Sequence, residues 1–230
     1  MQMGYALEYI GLSQRVYKAM AIKGVDLRLG EGKVIGLLGP RDGGLTALFK
    51  LASGLLMPTT GEVRVLGQAP GVKTKGRVAY LPDKLVLPAW MTVKQVIRYF
   101  QDFYGDFDLA KAESLCAKLK IDQTAKIKTL RRGVRRNVQL MLTLARDAEI
   151  YLLEEPFGGG EPQVILDLIL AHYRKGATLV IATHQVDEVQ AVLEEAVFFR
   201  KGKVLLQKTK EEMEEAGSSF GALYREVFAC

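Results

Sequence analysis

The sequence predicts an α/β fold built on a largely parallel β-sheet. Four apolar runs contain four or five residues each and are bounded by turn-forming or charged residues. They lie at 34–38, 77–81, 150–153 and 178–182. Runs of this length are typical of strands that are buried on both faces. Segments of helical periodicity, such as 46–53 and 164–174, separate them, and this alternation favours helices packed on a parallel sheet.

Two further β regions and a helical insertion complete the predicted order of elements. Residues 61–67 form a β run between two glycines, and residues 196–206 have the pattern of a hairpin that turns at Gly202. After residue 88 the strand pattern stops, and three segments have helical periodicity instead. These segments are 92–104, 109–119 and 135–145, with Thr92 as a suitable N-cap for the first.

The length and composition fit one globular domain. The chain has 230 residues, of which 49% are hydrophobic and 25% are charged, and these proportions are ordinary for a folded protein. We expect a single domain over residues 1–230. Its core comprises 1–87 and 149–230, and a helical subdomain of 88–148 interrupts that core.

The composition also excludes several classes of protein. Cys116 and Cys230 are too few for a disulfide scaffold or a four-cysteine zinc site, and His172 and His184 leave little for a histidine-built metal centre. The longest charge-free stretches have 11 residues, whereas a membrane-spanning helix needs about 20. The first residues carry no basic region before an apolar run, so we expect no signal peptide and a cytoplasmic location.

The chain is basic, with a net charge of +6 from 32 lysines and arginines against 26 acidic residues. Such a surface can meet nucleic acid or the anionic cytoplasmic face of a membrane, or it can simply be solvated. The dense cluster at 131–136, which holds four arginines, is more informative than the total.

A glycine-rich loop follows the first of the buried strands. Residues 39–46 match the phosphate-binding pattern G-x-x-x-x-G-K-[ST] at Gly39, Gly44 and Thr46. In such a loop, backbone N–H groups surround the phosphates and the lysine reaches the β- and γ-phosphates. An accidental glycine-rich turn is the alternative. The candidate binding residues are Gly39, Pro40, Arg41, Asp42, Gly43, Gly44, Leu45 and Thr46.

Two substitutions in this loop predict weak triphosphate binding. Leu45 occupies the lysine position, and Asp42 puts a carboxylate where a glycine is usual. Two unit charges 4 Å apart interact by roughly 4 kcal/mol at an effective dielectric constant of 20. Because the loop loses one such attraction and gains a repulsion, a polyanion binds weakly unless Arg41 supplies the missing cation.

Further motifs follow along the chain. They are L-A-S-G-L-L-M-P-T-T-G-E-V at 51–63, A-Y-L-P-D at 79–83, L-R-R-G-V at 130–134, Y-L-L-E-E-P at 151–156, G-G-E-P at 159–162 and T-H at 183–184. In this order and spacing the chain resembles the ATP-binding cassette (ABC) family, specifically the nucleotide-binding subunit of an ABC transporter. The motifs correspond to the segment after the phosphate loop, the Q-loop, the signature, the Walker B strand, the D-loop and the switch histidine. The resemblance implies an ABC-type P-loop NTPase core with an N-terminal antiparallel β region and an inserted α-helical subdomain.

The resemblance also implies roles for single residues. His184 matches the switch histidine that contacts the γ-phosphate, and Glu155 matches the general base, a role that suits a carboxylate. Thr46 would ligate Mg²⁺. Glu154 replaces the aspartate linked to that ion, and Asp83 replaces the Q-loop glutamine. Because Mg²⁺ demands near-ideal octahedral geometry, the extra methylene of a glutamate matters.

The signature is the most altered motif. The candidate residues there are Arg131, Arg132, Gly133 and Val134. In the family this segment caps the γ-phosphate held by the opposite subunit, and arginine can grip a phosphate with two hydrogen bonds. The two arginines could engage a partner's nucleotide or could be a solvated charge run. The adenine-stacking aromatic aligns with Val16, and the neighbouring Tyr17 is either its replacement or a half-exposed turn residue.

These substitutions affect residues that would bind or hydrolyse the nucleotide. The segments that form the scaffold keep sequences similar to those of the family. The expected protein is an ATP-binding subunit of a bacterial-type ABC transporter with weak or absent hydrolysis, and with ATP and Mg²⁺ as its cofactors. It would dock to transmembrane subunits and pair with a second nucleotide-binding subunit, as a homodimer or heterodimer, at the inner face of the cell membrane. No nucleic-acid partner is expected. The alternatives are an active ATPase in which Arg41 compensates for Leu45, and a soluble regulatory protein with an ABC-like fold.

Overall fold

The computed structural model describes residues 4–16, 19–41 and 43–229. Within these residues nine strands form two sheets. The strands are β1 (Tyr5–Val16), β2 (Ala19–Gly30), β3 (Val34–Leu38), β4 (Thr60–Val65), β5 (Val78–Leu81), β6 (Ile150–Glu154), β7 (Thr178–Thr183), β8 (Glu195–Arg200) and β9 (Lys203–Thr209). The helices are α1 (Leu45–Ala52), α2 (Val72–Lys75), α3 (Val93–Phe103), α4 (Leu109–Lys118), α5 (Arg132–Leu144), α6 (Pro162–His172), α7 (Val186–Val189), α8 (Lys210–Glu215) and α9 (Phe220–Phe228).

The larger sheet confirms the predicted α/β class. Its strand order is β5-β6-β7-β3-β8-β9. The strands from β5 to β8 are parallel, and only β9 runs antiparallel to its neighbour β8. In such a sheet the carboxyl ends of the strands share one edge, which is where ligands bind in open α/β folds.

The smaller sheet is antiparallel, with the order β2-β1-β4. The long β1–β2 hairpin forms most of it. The β run predicted at 61–67 is β4, which pairs with β1 rather than with a strand next to it in the sequence. The hairpin predicted at 196–206 is β8–β9.

The helices α3, α4 and α5 lie between β5 and β6 in the chain. Thr92 caps α3 as predicted, because its hydroxyl accepts a hydrogen bond from the amide of Gln95 at 3.2 Å. Helix α5 begins at Arg132, three residues before the predicted start, and Arg131 is its N-cap with extended backbone. The apolar periodicity of this helix starts only in its second turn. It therefore did not predict the first turn, which belongs to the basic cluster.

Apolar residues form a core cluster on each face of the larger sheet. Alternate residues of one strand belong to different clusters: Leu38 lies with the helices α3 to α6, whereas Leu37 packs with α1 and the smaller sheet. Both leucines are fully buried. This two-sided burial explains why the strands are continuous apolar runs. In the described part of the chain, no helix combines the length and apolar character needed to cross a membrane.

Candidate functional site

The parallel register brings distant motifs to one edge of the sheet. Leu38, the last residue of β3, pairs with Thr183, and Glu154, the last residue of β6, pairs with Ala182. The glycine-rich loop, Glu155 and His184 each follow one of these strand ends directly. These three motifs therefore lie close together, although the first and the last are more than 100 residues apart in the sequence.

The glycine-rich loop is tightly packed. A Cβ atom at Gly39 would overlap the carbonyl oxygen of Phe199, and Gly44 has a φ of +104° that favours glycine. The amide of Gly43 donates to the carbonyl of Pro40 at 2.9 Å, so this amide is used inside the loop. Asp42 and Tyr17, two of the predicted binding residues, lie outside the described residues.

Leu45 belongs to the hydrophobic core. Its side chain is 8% exposed and lies in the cluster that contains Leu37 and Phe199. The side chain at the lysine position is therefore committed to core packing. Arg41, in the same loop, is exposed.

Glu154 is a buried carboxylate that accepts three hydrogen bonds. The Thr46 hydroxyl donates to Oε1. The Tyr80 hydroxyl donates to Oε2 at 2.9 Å, and the Asp83 amide donates to the same oxygen at 3.2 Å. Burial, followed by the nearby Glu154 charge, raises the pKa of Tyr80 well above its usual range, so this hydroxyl stays a donor.

The Thr46 hydroxyl and the Glu154 carboxylate are direct neighbours, and both supply oxygen atoms, the ligands that Mg²⁺ needs while it usually keeps several waters. Thr46 and Glu154 are the residues that would hold the ion, and the ion would neutralise phosphate charge. Asp83 contacts Glu154 through its backbone amide. Among the described residues, no cluster of three or more acidic, histidine or cysteine side chains could hold a metal by itself.

Glu155 is fixed from two sides. Its Oε1 lies 3.1 Å from the amide and 2.6 Å from Nδ1 of His184, and its Oε2 accepts the Thr183 hydroxyl at 3.0 Å. Its backbone is left-handed, with φ of 44° and ψ of 58°, a conformation that costs on the order of 1–3 kcal/mol in a residue other than glycine. The Glu155 amide, which donates to the Ala182 carbonyl at 2.8 Å, helps to hold it.

Arg136 connects the ends of β5 and β6. The residue is 5% exposed, and its guanidinium donates to the carbonyls of Pro82 and Glu154 and, at 2.8 Å, to that of Glu155. Burial lowers the pKa of Arg136, although the carboxylates of Asp83, Glu154 and Glu155 act in the opposite direction. This arginine fixes the backbone on which both acidic residues sit.

A cavity of about 320 Å³ opens beside Glu155. Its lining combines residues of the glycine-rich loop, the Q-loop segment, α5 and the segments after β6 and β7. They are Arg41, Asp83, Leu85, Arg132, Arg136, Glu155, Gly158 and Gln185. Arg132 thus lines a cavity of its own chain, whereas Arg131, the exposed N-cap, does not.

The other two signature residues have different surroundings. Gly133 packs close to the backbone of Gly158 and Gly159, and the half-buried Val134 packs against the core. The contact of this segment with a second subunit stays a prediction.

Residues 22–158, more than half of the chain, match the family model described as ABC transporter. This chain belongs to the ABC transporter family. It is 28% identical to an uncharacterised ABC transporter ATP-binding protein of Methanocaldococcus jannaschii, over 76% of this chain and 66% of that protein. It is also 28% identical to the zinc transport system ATP-binding protein TroB of Treponema pallidum, over 92% of this chain and 86% of that protein.

Solved structures support the same assignment of the fold. A structure described as the ATP binding subunit of an ABC transporter superposes with a TM-score of 0.83 at 21% identity, over 96% of this chain and 99% of that one. The chain spans less than two thirds of some curated relatives, for example 34% of the probable multidrug ABC transporter ATP-binding protein YbhF of Escherichia coli.

The structure gives roles to four residues for which the sequence analysis predicted none, although three of them lie within its motifs or basic cluster. Tyr80 and Thr183 hold the two acidic residues, and Arg136 fixes their backbone. Gln139 accepts from the Val86 amide at 3.2 Å and donates to the Lys84 carbonyl at 3.3 Å. Of these residues, only Arg136 could have been found from the sequence. It lies on the apolar side of α5, and a charged residue in such a position needs hydrogen-bond partners.

Proposed function

We propose that this chain is a degenerate ATP-binding subunit of an ABC transporter, with weak or absent hydrolysis at its own site. The observation that carries the proposal is the burial of Leu45 in the core. No cation can reach the phosphates from this position, where the phosphate-binding pattern requires a lysine. The internal hydrogen bond of the Gly43 amide removes a further donor.

The retained residues favour residual nucleotide binding over none. Thr46 and Glu154 fit Mg²⁺, and His184 lies directly beside Glu155. The chain therefore keeps the parts that would hold the metal and orient the terminal phosphate of ATP. It lacks the lysine of the phosphate-binding pattern, which would neutralise the phosphate charge most directly.

Calorimetric titration of the purified chain with Mg-ATP tests this proposal. Binding should be much weaker than micromolar, and Leu45→Lys combined with Asp42→Gly should strengthen it. Leu45→Met with Asp42→Gly is the matched control, because it changes the buried side chain without adding a charge. Micromolar affinity in the unchanged chain, or equal affinity in the lysine and methionine variants, would contradict the proposal.

We also propose that the chain docks to membrane subunits through the region from Lys84 to Tyr104. Val86, Trp90 and Phe103 are 64%, 67% and 69% exposed there, and large exposed apolar side chains commonly mark contact surfaces. Val86 also lines a groove of about 430 Å³, together with Leu87, Phe100 and Tyr104. Docking of this kind would hold the chain at the inner face of the membrane.

A structural neighbour supports such an assembly. The Clostridium perfringens protein cbiO1, described as part of an ABC transporter complex, superposes with a TM-score of 0.69 at 20% identity. Cysteines introduced at 86 and 90 should cross-link to a membrane subunit in the intact complex, whereas a cysteine at the exposed Val164 of α6, outside the region 84–104, should not. Equal labelling at all three positions, or none, would contradict the docking proposal.

An active ATPase is the second candidate, and one observation favours it. Arg41 and Glu155 line the same cavity, so Arg41 could neutralise a phosphate that Glu155 helps to cleave. In that case Arg41→Gln should abolish ATP hydrolysis by the reconstituted complex, whereas in the degenerate subunit it should change turnover little.

A further inference from the structure

The segment between α1 and β5 exposes large apolar side chains. Leu55, Met57 and Val72 are 59%, 86% and 91% exposed, and the last two are the most exposed large hydrophobic side chains of the described residues. Water covers almost all of their apolar surface, so a contact that buries them gains free energy. Exposed apolar side chains that lie together commonly mark such a contact surface.

The short helix α2 turns its exposed side chains outward. Thr74 is 2% exposed, and its hydroxyl accepts a hydrogen bond from the Gly71 amide at 2.8 Å and donates to the Gly71 carbonyl at 3.0 Å. This inward anchor leaves Val72, Lys73 and Lys75 on the outer side, where all three are exposed.

Helix α2 and the segment after α1 form one surface. A Cβ atom at Gly54 would lie 2.9 Å from Cε of Lys75 and 3.5 Å from Cβ of Pro70, so the lysine stem covers this glycine. Pro70 also lines a groove of about 660 Å³ together with Met57 and Pro58. The exposed apolar side chains of the two segments therefore belong to the same face.

This part of the chain is also strongly basic. Residues 50–76 carry four basic residues against one acidic residue, an excess of +3 where the whole chain has +6. The acid, Glu62, pairs with Arg64 at 3.1 Å, so its charge is already balanced. The positive charge of Lys50, Lys73 and Lys75 therefore lies beside the exposed apolar side chains without compensation from this acid.

Apolar side chains among lysines are complementary to one kind of surface, an anionic lipid bilayer. There the apolar groups enter the boundary between headgroups and acyl chains, and the lysines attract the negative headgroups of the cytoplasmic leaflet. The position of the face agrees with this partner. Lys50, Leu55 and Lys75 line the same groove as Val86, which belongs to the region proposed above to dock to membrane subunits.

We propose that this chain binds the surface of an anionic lipid bilayer directly, through a basic-apolar face. The face is formed by Lys50, Leu55, Met57, Val72, Lys73 and Lys75. Met57 and Val72 enter the headgroup region, and the lysines lie at lipid phosphates. The inference rests on the proposed docking only for its orientation in the assembled transporter, because the lipid contact itself needs no membrane subunit.

Sedimentation of the full purified chain with lipid vesicles tests the proposal in the absence of any membrane subunit. The chain should bind vesicles made of equal parts of phosphatidylcholine and phosphatidylglycerol, and it should bind pure phosphatidylcholine vesicles far more weakly. Salt at about 1 M, where the Debye length is about 3 Å, should release most of the bound chain.

Two sets of variants test the two components of the face. Replacing Lys50, Lys73 and Lys75 together by glutamine should weaken binding roughly a hundredfold, since each lysine near an anionic surface contributes about fivefold. The same change at the exposed Lys128, Lys175 and Lys203 removes equal charge elsewhere and should bind nearly as the wild type does.

Met57→Ser with Val72→Ser should weaken vesicle binding roughly tenfold, because two apolar side chains no longer leave water. Val164→Ser with Leu205→Ser, at exposed positions outside the face, is the matched control and should have little effect. Circular dichroism shows that each variant is folded.

No binding of the folded wild type to the anionic vesicles, equal binding to neutral vesicles, or equal losses in the variants and their controls would overturn the proposal. A lysine variant that binds vesicles like the wild type but no longer co-purifies with a membrane subunit would also overturn it, since the face would then be a protein contact. Cross-linking from positions 86 and 90 tests the docking proposal separately, because it requires the membrane subunit and vesicle binding does not.

Discussion

His184 and Glu155 hold each other at the carboxyl edge of the sheet. Nδ1 of His184 lies 2.6 Å from Oε1 of Glu155, and the two side chains are 32% and 15% exposed. An ionised carboxylate only accepts hydrogen bonds, so Nδ1 carries the hydrogen. The Thr183 hydroxyl donates to Oε2. Both carboxylate oxygens of Glu155 therefore have a hydrogen-bond partner within the protein.

The site that contains Glu155 has the buried Leu45 where the phosphate-binding pattern requires a lysine. Glu155→Gln should therefore change ATP turnover of the reconstituted transporter very little, because a competent partner cassette would carry the hydrolysis. The measurement is steady-state ATP hydrolysis by the complex, with the equivalent substitution in the partner cassette as the control. A collapse of turnover with Glu155→Gln would place the chemistry in this chain's own site.

Arg136 should contribute strongly to stability. Arg136→Met keeps much of the side-chain volume but leaves the carbonyls of Pro82, Glu154 and Glu155 without their donor. Loss of such a buried charged network costs about 3 kcal/mol of unfolding free energy. Urea denaturation measures the loss, and Arg131→Met, at the exposed N-cap of α5, should change stability by less than about 0.5 kcal/mol. Equal stabilities of the two variants would refute the role given to Arg136.

The hydroxyl of Tyr80 should stabilise the buried Glu154. Tyr80→Phe keeps the edge-on packing against Phe49, with ring centroids 6.0 Å apart, and removes only the hydrogen bond to Oε2. The expected loss is about 1 kcal/mol. Tyr99→Phe is the control, because Tyr99 is 44% exposed. Thermal unfolding should separate the two variants, and a Tyr80→Phe variant as stable as Tyr99→Phe would show that the hydroxyl is dispensable.

The ion pair between Arg77 and Glu149 predicts one part of the pH dependence of stability. Hydrogen bonds from Arg77, at 2.6 Å, are the main reason that the pKa of Glu149 lies below its ordinary value of 4.5. Because the folded state has the lower pKa, this stabilisation is present above pH 4.5 and is lost as the pH falls through the folded-state pKa. Both side chains are more than a third exposed, so solvent screening keeps the effect below about 1 kcal/mol.

Glu149→Gln should remove this contribution, so its stability should fall less than that of the wild type between about pH 5 and pH 3. Urea midpoints at several pH values measure the difference. Glu214→Gln, at an exposed glutamate without an ion pair among the described residues, should keep the wild-type dependence. Parallel curves for Glu149→Gln and the wild type would contradict the prediction.

Several features of the site could be predicted from the sequence, because they depend on local patterns. The glycines at 39 and 44, the acidic pair after β6 and the histidine after β7 all follow apolar runs directly. In a parallel sheet, residues that follow strand ends meet at one edge. The start of α5 was missed because the geometry of the N-cap sets it, not the apolar periodicity.

The sequence by itself determined the fold class, the strands of the larger sheet with the helices α1 and α3 to α6, and the absence of a lysine at position 45. Periodicity, turn residues and motif spacing are properties of neighbouring residues. The tertiary structure decided which side chains meet. It put Leu45 into the core, joined Glu155 to His184 and brought Arg132 to the cavity that Arg41 lines. The last two of these relationships join residues that are 29 or more positions apart in the chain, and only the packed sheet and its helices bring such residues together.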